Sequence, residues 1–153
     1  DGRRRPASTV HSHRSPDGTG GKLGRVGIRW TTVTIDCSDA TALAEFYAGV
    51  LGWEVSARDG EGWCQLRDPD GGVGINIQAE PGYEPPTWPD APGAQQKMVH
   101  LELLVDDLEG AVQRVIDCGG RQAPHQPPDR DHSGLRVMLD PAGHPFCLFV
   151  AGE

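Results

Sequence analysis

The chain has 153 residues, of which 37% are hydrophobic and 24% are charged. This length accommodates one compact unit or two small ones that share a core, and the composition is too apolar for a disordered polymer. The 14 basic side chains are concentrated near the start, so residues 27–153 carry eight basic and twenty acidic groups. A domain this acidic would repel the phosphate backbone of a nucleic acid. No segment of the chain reaches the roughly 18 consecutive apolar residues that a membrane-spanning helix needs. We therefore expect neither nucleic acid nor a membrane as a partner.

The cysteines and the N-terminal segment indicate the compartment. No two cysteines have the spacing of a zinc knuckle or a Cys-x-x-Cys redox pair, which is typical of buried thiols in a reducing environment. The start of the chain has no apolar core of a secretory signal, so the sequence predicts a cytoplasmic protein. Residues 1–26 are rich in Gly, Ser, Pro and Arg, and we expect a disordered tail or a cloning remnant there.

A first module is predicted over residues 28–78, in the order strand, helix, strand, strand, strand. The segment Ile28–Cys37 is β-branched and alternates in polarity, which predicts a strand with Thr32 on its polar face. An N-cap at Ser38 or Asp39 and a left-handed C-cap at Gly52 bound an amphipathic helix. The three further strands are predicted at Trp53–Ser56, Gly62–Arg67 and Gly74–Gln78.

The same order returns in a second module over residues 97–150. Met98–Val105 alternates, which predicts a strand with His100 and Glu102 on one face. Asp106 is predicted to cap the following helix, with Glu109 three residues on as in a capping box. The later strands are predicted at Leu135–Leu139 and Pro145–Val150.

Cap and turn residues recur between the modules. A shift of 68 residues superposes Gly52 on Gly120, and a shift of 72 superposes Asp68-Pro69 on Asp140-Pro141. The chain is therefore predicted to be an α+β protein, with tandem βαβββ modules forming curved sheets around a central cleft. The modules are joined by residues 79–96, a linker with five prolines in eighteen residues.

Three segments resemble a known family: TVTIDCSDATALAEFYAGVLGWEV, VHLELLVDDLEGAVQRVIDCGG and LDPAGHPFCLFV. Together they are similar to the glyoxalase / bleomycin resistance / dioxygenase group, which is the vicinal oxygen chelate superfamily, and to its glyoxalase-like branch. The resemblance covers roughly residues 30–150 and makes residues 27–153 a glyoxalase-like domain. It implies the paired-module fold and, by analogy, a homodimer. It does not select one activity.

The resemblance also implies where a metal would bind. Metal enzymes of the superfamily place ligands on the first and last strands of each module, which correspond here to Thr32, Ile75, His100 and Cys147. Only one of these is an imidazole and one a thiol, so we expect no cofactor. A divalent metal is the alternative, and His100 with Glu102 would then be its ligands.

The candidate ligand-binding residues combine polar anchors with aromatic walls. His100 is either a cavity-wall histidine satisfied by a neighbour or a ligand-contacting group, and Cys147 is either a packed thiol or part of the site. Tyr83 and Trp88 either pack against the fold or flank a ligand mouth. The complete set is Thr32, Trp63, Gln78, Tyr83, Trp88, His100, Glu102 and Cys147.

Two functions from different classes remain open at this stage. The first is a metal-independent protein that binds a small organic molecule, as drug-sequestering members of the superfamily do, with cationic ligands favoured by the acidic body. The second is a metal-dependent lyase, isomerase or dioxygenase. A third hypothesis is a structural module whose cleft is filled by its own linker. Analogy of fold does not distinguish among these three hypotheses.

Overall fold

A computed structural model describes residues 27–151, and the predicted tail (1–26) lies outside the described residues. Two helices and eight strands are present in this part of the chain, and none of these helices is long and apolar enough to cross a membrane. In chain order the elements are β1 (Thr32–Cys37), α1 (Ala40–Leu51), β2 (Val55–Asp59), β3 (Trp63–Leu66), β4 (Gly74–Ala79), β5 (Glu102–Leu104), α2 (Leu108–Asp117), β6 (Arg121–Gln122), β7 (Leu135–Leu139) and β8 (Pro145–Phe149).

The strands form two four-stranded sheets with the same topology, which confirms the predicted tandem α+β fold. The first sheet has the order β1-β4-β3-β2 and the second β5-β8-β7-β6. In each sheet the first strand pairs parallel with the last, and the remaining pairs are antiparallel. Helix α1 packs on the first sheet and α2 on the second. Each sheet therefore has one face covered by its helix and another that we call its open face.

One hydrophobic core joins the two modules through their helix sides. The ring of Phe46 in α1 lies 6.2 Å from that of Phe146 in β8, in an edge-on arrangement. The side chain of Arg114 in α2 donates two hydrogen bonds to the Gly49 carbonyl of α1. Neither module of about fifty residues would bury enough surface to be stable alone, so the shared core supplies what each lacks.

The helix caps agree with the sequence except at one position. Asp39 caps α1 by accepting from the Ala42 amide, and Gly52 ends the helix in the left-handed conformation with φ 72°. The N-cap of α2 is Asp107, whose carboxylate accepts from the Gly110 amide, so the prediction of Asp106 was wrong. Asp106 and Asp107 both precede the helix. The cap is Asp107, because its backbone is extended and it lies directly before the first helical residue.

The first strand of module two is much shorter than predicted. The strand covers Glu102–Leu104, whereas alternation had indicated Met98–Val105. Met98 adopts a positive φ of 54°, which no strand accommodates, and the Val99 amide turns back to bond the Lys97 carbonyl. His100 therefore precedes the strand, although the Leu101 carbonyl still accepts from the Cys147 amide of β8.

Smaller corrections concern other strand ends. The first strand begins at Thr32 rather than Ile28, and the preceding Trp30 is 75% exposed. The second strand runs over Val55–Asp59 instead of Trp53–Ser56, because Trp53 packs against the core at the end of the helix. The two-residue strand β6 was not predicted, since Arg121–Gln122 carries no apolar pattern.

From the sequence, Ile75 was also placed at a position that corresponds to a metal ligand, and this was wrong. Ile75 is 5% exposed and belongs to the core, whereas its neighbour Asn76 lies on the open face. Module one has one more residue than module two between the turn glycine and the following strand, so a shift of 72 loses register there. Because the side-chain period of a strand is two, this single residue exchanges the faces, and Asn76 corresponds to Cys147.

Candidate functional site

A cavity of about 610 Å³ lies at the junction of the two modules, and we call it the junction cavity. Its walls come from β1, the linker, the segment before β5 and the start of β8. Apolar side chains such as Val33 and Phe146 alternate around it with polar ones such as Thr34 and His100. A volume of this size fits a drug-sized organic molecule.

The charge around the junction cavity is mainly negative. Asp36 from β1 and the linker residues Glu80 and Glu84 contribute carboxylates to the wall, and Lys97 contributes one ammonium group. Lys97 is already paired with Asp90, and its ammonium nitrogen lies 5.0 Å from the centre of the Trp88 ring. The balance therefore favours a ligand that carries positive charge.

One wall holds a hydrogen-bonded series of three side chains. The hydroxyl of Tyr83 lies 3.0 Å from Nε2 of His144, and Nδ1 of that ring lies 2.8 Å from Oδ2 of Asp140. Asp140 also accepts from the His144 amide, and it is completely buried. The Tyr83 hydroxyl donates in addition to the Ala142 carbonyl at 2.9 Å. The linker is thus tied to the turn of module two by a polar side chain.

The Asp140 side chain is hydrogen-bonded to residues from both modules. The hydroxyl of Tyr47 in α1 donates to Oδ2 at 2.9 Å, so the carboxylate accepts from a phenol, an imidazole and an amide. Burial, and then the negative charge of Asp140, raise the pKa of Tyr47 and that of Tyr83 above their usual range. Both phenols therefore remain protonated and act as donors at neutral pH.

A second cluster brings together three potential metal ligands at the edge of module two. Ligand atoms of His100, Glu102 and Cys147 all lie within 4.8 Å of one another, and the imidazole Nε2 is 3.5 Å from the Glu102 carboxylate. Glu102 and Cys147 are partners in the β5–β8 register. Burial, followed by the charge of Glu102, raises the pKa of the Cys147 thiol.

The open face of the first sheet carries a row of polar side chains. The amide of Asn76 donates to the Thr32 hydroxyl, and the amide of Gln65 donates to Asn76. Arg67 continues the row by donating from Nε to the Gln65 side chain. Thr32 therefore lies in a hydrogen-bonded ladder that crosses three strands.

Trp63 and Gln78 are paired on the same open face, in the β3–β4 register. The Gln78 side chain donates to the Glu80 carboxylate. Both side chains are half-buried, and neither lines the junction cavity.

The open face of the second sheet, which lies opposite helix α2, is apolar, and the linker packs against it. Trp88 packs against Ala123, Val137 and Leu139, and its indole nitrogen donates to the His125 carbonyl at 2.9 Å. Cys147 is packed against the same patch. Of the alternatives left open by the sequence, Trp88 therefore takes the packing role in this structure.

The eight predicted site residues fall into four places. Tyr83 and His100 line the junction cavity; His100 also joins Glu102 and Cys147 in the cluster of potential metal ligands. Thr32, Trp63 and Gln78 lie on the open face of the first sheet, and Trp88 covers that of the second.

Sequence reasoning missed Tyr47 and His144, which line the cavity, and Asp140, which is buried behind them. The sequence placed Tyr47 in the amphipathic helix and residues 140–144 between two strands, and both placements are correct. Their meeting depends on how the modules pack. A signal was nonetheless present, because an Asp with a His four residues on at a tight turn can fold the imidazole back onto its own carboxylate.

The comparison with family models decides the family. Residues 32–149 match the model described as a glyoxalase-like domain. The chain belongs to the glyoxalase-like domain family. No curated protein sequence matches the chain.

Solved structures agree with this glyoxalase-like fold. A possible glyoxalase from Bacillus cereus is similar with a TM-score of 0.58 and 16% identity, covering 80% of this chain and 99% of the other. The oxidase ChaP-H2 gives 0.57 and 21%, with 83% and 96% covered. The fosfomycin resistance protein FosX from Listeria monocytogenes, as a complex of a variant with Mn(II) and a dihydroxypropylphosphonic acid, gives 0.58 and 16%, with 81% and 90% covered. At these identities the likeness establishes the fold alone.

One of these structural neighbours is described with Mn(II), and this chain has its own group of potential metal ligands. An imidazole, a carboxylate and a thiol that converge within 4.8 Å fit a divalent first-row ion, provided that the thiol loses its proton. His100, Glu102 and Cys147 would hold the ion, and an ion there would supply Lewis-acid polarisation of a ligand oxygen.

Proposed function

We propose that this glyoxalase-like domain binds a small, positively charged organic molecule in the junction cavity and does so without a metal, as a drug-sequestering protein would. The observation that carries the proposal is the 610 Å³ cavity itself, with apolar walls from both modules and an excess of carboxylates. Apolar walls supply affinity for an organic framework, and a few polar groups orient it.

The distribution of charge supports a cationic ligand over an anionic one. Asp36, Glu80 and Glu84 outnumber the single ammonium of Lys97, and that ammonium is already neutralised by Asp90. A cationic aromatic molecule would be attracted by the carboxylates and would not have to displace an existing ion pair. An anion would meet uncompensated like charge.

Calorimetry with a matched ligand pair tests this function. Benzyltrimethylammonium and phenylacetate share a ring and differ in charge, and we expect measurable binding of the cation alone. Replacing both linker carboxylates (Glu80→Gln with Glu84→Gln) should weaken the cation by roughly tenfold. The control Glu61→Gln neutralises an exposed carboxylate that does not line the cavity, and it should leave binding unchanged. Equal binding of cation and anion would refute the charge argument.

A metal-dependent lyase, isomerase or dioxygenase is the second candidate, and the convergence of His100, Glu102 and Cys147 favours it. A Co²⁺ titration followed by absorption distinguishes the two candidates, because a thiolate ligand gives an intense charge-transfer band. The metal-dependent function predicts one equivalent of Co²⁺ with this band, lost in Cys147→Ser. The band should persist in the control Cys118→Ser, because that cysteine lies outside the cluster.

We also infer that the protein is a homodimer. Strands β1 and β5 each end their sheet and present an unpaired edge among the described residues. Free strand edges are surfaces on which a second chain can pair. Light scattering coupled to size exclusion tests this inference: a mass near twice the 16.4 kDa of the chain supports it, and a monomer mass at high concentration refutes it.

A further inference from the structure

The series Tyr83–His144–Asp140 has the arrangement of a hydroxyl, an imidazole and a carboxylate in which each group orients the next. The carboxylate is completely buried, the imidazole is 20% exposed, and both His144 and Tyr83 line the junction cavity. Structural turns need a cap for one or two amides, which the His144 amide bond to Asp140 already provides. The imidazole and the phenol are additional to that requirement.

The hydrogen bonds allow two arrangements of protons. In the first, His144 is neutral with its proton on Nδ1 facing Asp140, and the Tyr83 hydroxyl donates to Nε2. In the second, His144 is an imidazolium whose Nε2 donates to the Tyr83 oxygen, and the phenolic proton is free to point to the Ala142 carbonyl. Only the second arrangement gives Tyr83 a proton that can be redirected to another acceptor.

We propose that Tyr83 is the proton-donating residue of the junction cavity, with His144 and Asp140 as positioning residues that resupply its proton. The acceptor is an oxygen atom of the bound ligand, such as a ketone, that takes the place of the Ala142 carbonyl. Where the ligand oxygen carries negative charge, as in an enolate, the Tyr83 O–H bond breaks as the ligand O–H bond forms, and the Nε2 proton moves to the phenolic oxygen. The ligand gains one proton and the imidazolium loses one. This inference rests on the proposed function.

The charged groups around His144 come from several elements. Asp140 of the turn and Tyr83 of the linker contact the His144 ring, and Tyr47 of α1 contacts the Asp140 carboxylate. The other titratable side chains that line the same cavity are Asp36 of β1, Glu80 and Glu84 of the linker, and Lys97 and His100 before β5.

A measurement without ligand tests the relay itself. Nitrogen-15 NMR of the His144 ring should show that the proton of the neutral ring lies on Nδ1, facing Asp140, and not on Nε2. In Tyr83→Phe the Nε2 resonance should shift because its partner is lost, whereas the control Ile116→Val, at an exposed residue of α2 that does not line the cavity, should leave it unchanged. A ring that is protonated on Nε2 and bare at Nδ1 when neutral would overturn the proposed order of the relay.

A ligand pair tests the role of Tyr83. Phenacyltrimethylammonium and phenethyltrimethylammonium carry the same ring and cation, and only the first has a ketone oxygen. We expect the ketone to bind wild type about three- to tenfold more tightly, and its carbonyl carbon-13 resonance to move downfield. In Tyr83→Phe both the preference and the shift should vanish, and the control Ile116→Val should retain both.

The pH dependence separates a relay from a purely structural role. The ketone preference should decline as pH rises and His144 loses its proton, because the phenolic proton then turns to Nε2. In His144→Gln the preference should no longer vary with pH over that range. If Tyr83→Phe still prefers the ketone, or if wild type binds both ligands with equal affinity, this inference is overturned and the proposed function stands. If neither ligand binds wild type, the proposed function fails and the inference fails with it.

Discussion

The hydroxyl of Tyr47 in module one donates a hydrogen bond of 2.9 Å to the buried carboxylate of Asp140 in module two, 93 residues away. Both side chains are almost completely buried, at the place where the two modules share their core. A carboxylate at this depth is tolerated only when its lone pairs are satisfied. The bond therefore couples the packing of the modules to the integrity of the cavity wall.

Removing this hydroxyl should destabilise the protein measurably. In Tyr47→Phe the Asp140 carboxylate keeps its contacts with His144 but loses one donor, and a bond to a charged group contributes about 1.5–3 kcal/mol. Urea unfolding followed by circular dichroism gives the free energy of unfolding. Tyr83→Phe should cost less, because its contacts with the Ala142 carbonyl and the His144 ring are only partly buried, so water can replace the lost hydroxyl. An equal loss of stability in both variants would contradict the claim that the bond to the buried Asp140 carboxylate contributes more than the bonds of Tyr83.

Close approach of the modules at Gly120 should make that position intolerant of a side chain. A Cβ there would lie 2.7 Å from a methyl of Val115 and 2.9 Å from the Phe46 ring, and the Leu139 carbonyl is also near. We expect Gly120→Ala to lower the free energy of unfolding by about 1–3 kcal/mol through overpacking. In the control Gly62→Ala the nearest atom is 4.0 Å away, so urea midpoints should fall only in the first variant.

Stability should fall at alkaline pH because of Cys37. Burial, with a smaller contribution from nearby carboxylates, raises the pKa of this thiol from 9.0 to about 11. The folded state thus holds the proton more tightly than the unfolded state, and its contribution is complete below pH 9 and lost as pH rises toward 11. The two-unit rise corresponds to at most about 3 kcal/mol.

A pair of variants isolates this contribution to the pH dependence. Cys37→Ala removes the thiol, so its free energy of unfolding should decline less steeply than that of wild type over the same alkaline range. Ile77→Val, a core truncation with no titratable group, should lower stability at every pH and keep the wild-type slope. Parallel slopes in Cys37→Ala and wild type would show that other groups cause the decline.

The linker should protect Cys147 from reagents. Trp88 covers the apolar patch against which Cys147 packs, so Trp88→Ala should accelerate labelling of this thiol by iodoacetamide several-fold. Mass spectrometry of the labelled peptides separates Cys147 from the other cysteines. Replacing the exposed Trp30 by alanine serves as the control and should leave the labelling rate unchanged. An unchanged rate in Trp88→Ala would mean that the linker does not shield the second sheet.

Local patterns were sufficient to predict the repeated fold but not every strand boundary. Alternation and caps identified both helices and the tandem topology, because the apolar periods and the Gly52 cap are local signals. The shortened β5 follows from the positive φ of Met98, which no propensity favours. Ile75 was placed on the wrong face because a one-residue difference in the turn reverses a strand pattern.

The site was less predictable because it depends on contacts between distant segments. Tyr83 and His100 were expected at a cavity and lie in its wall, but the partners of Tyr83 come from a turn about sixty residues away. Trp88 was ambiguous between packing and ligand contact, and the choice depends on the apolar patch of Val137 and Leu139 beneath it. No periodicity in one segment reveals such a meeting.

The most direct test of the account is a chemical-shift titration of the nitrogen-15-labelled protein with benzyltrimethylammonium. If the junction cavity is the binding site, the largest shifts should arise at Thr34, Ile35, Tyr83, Val99 and His144, which line it from four different segments. The polar ladder of Thr32, Gln65 and Asn76 on the open face should change little. Shifts concentrated on that ladder, or none at saturating ligand, would contradict the claim that the junction between the modules is the functional site.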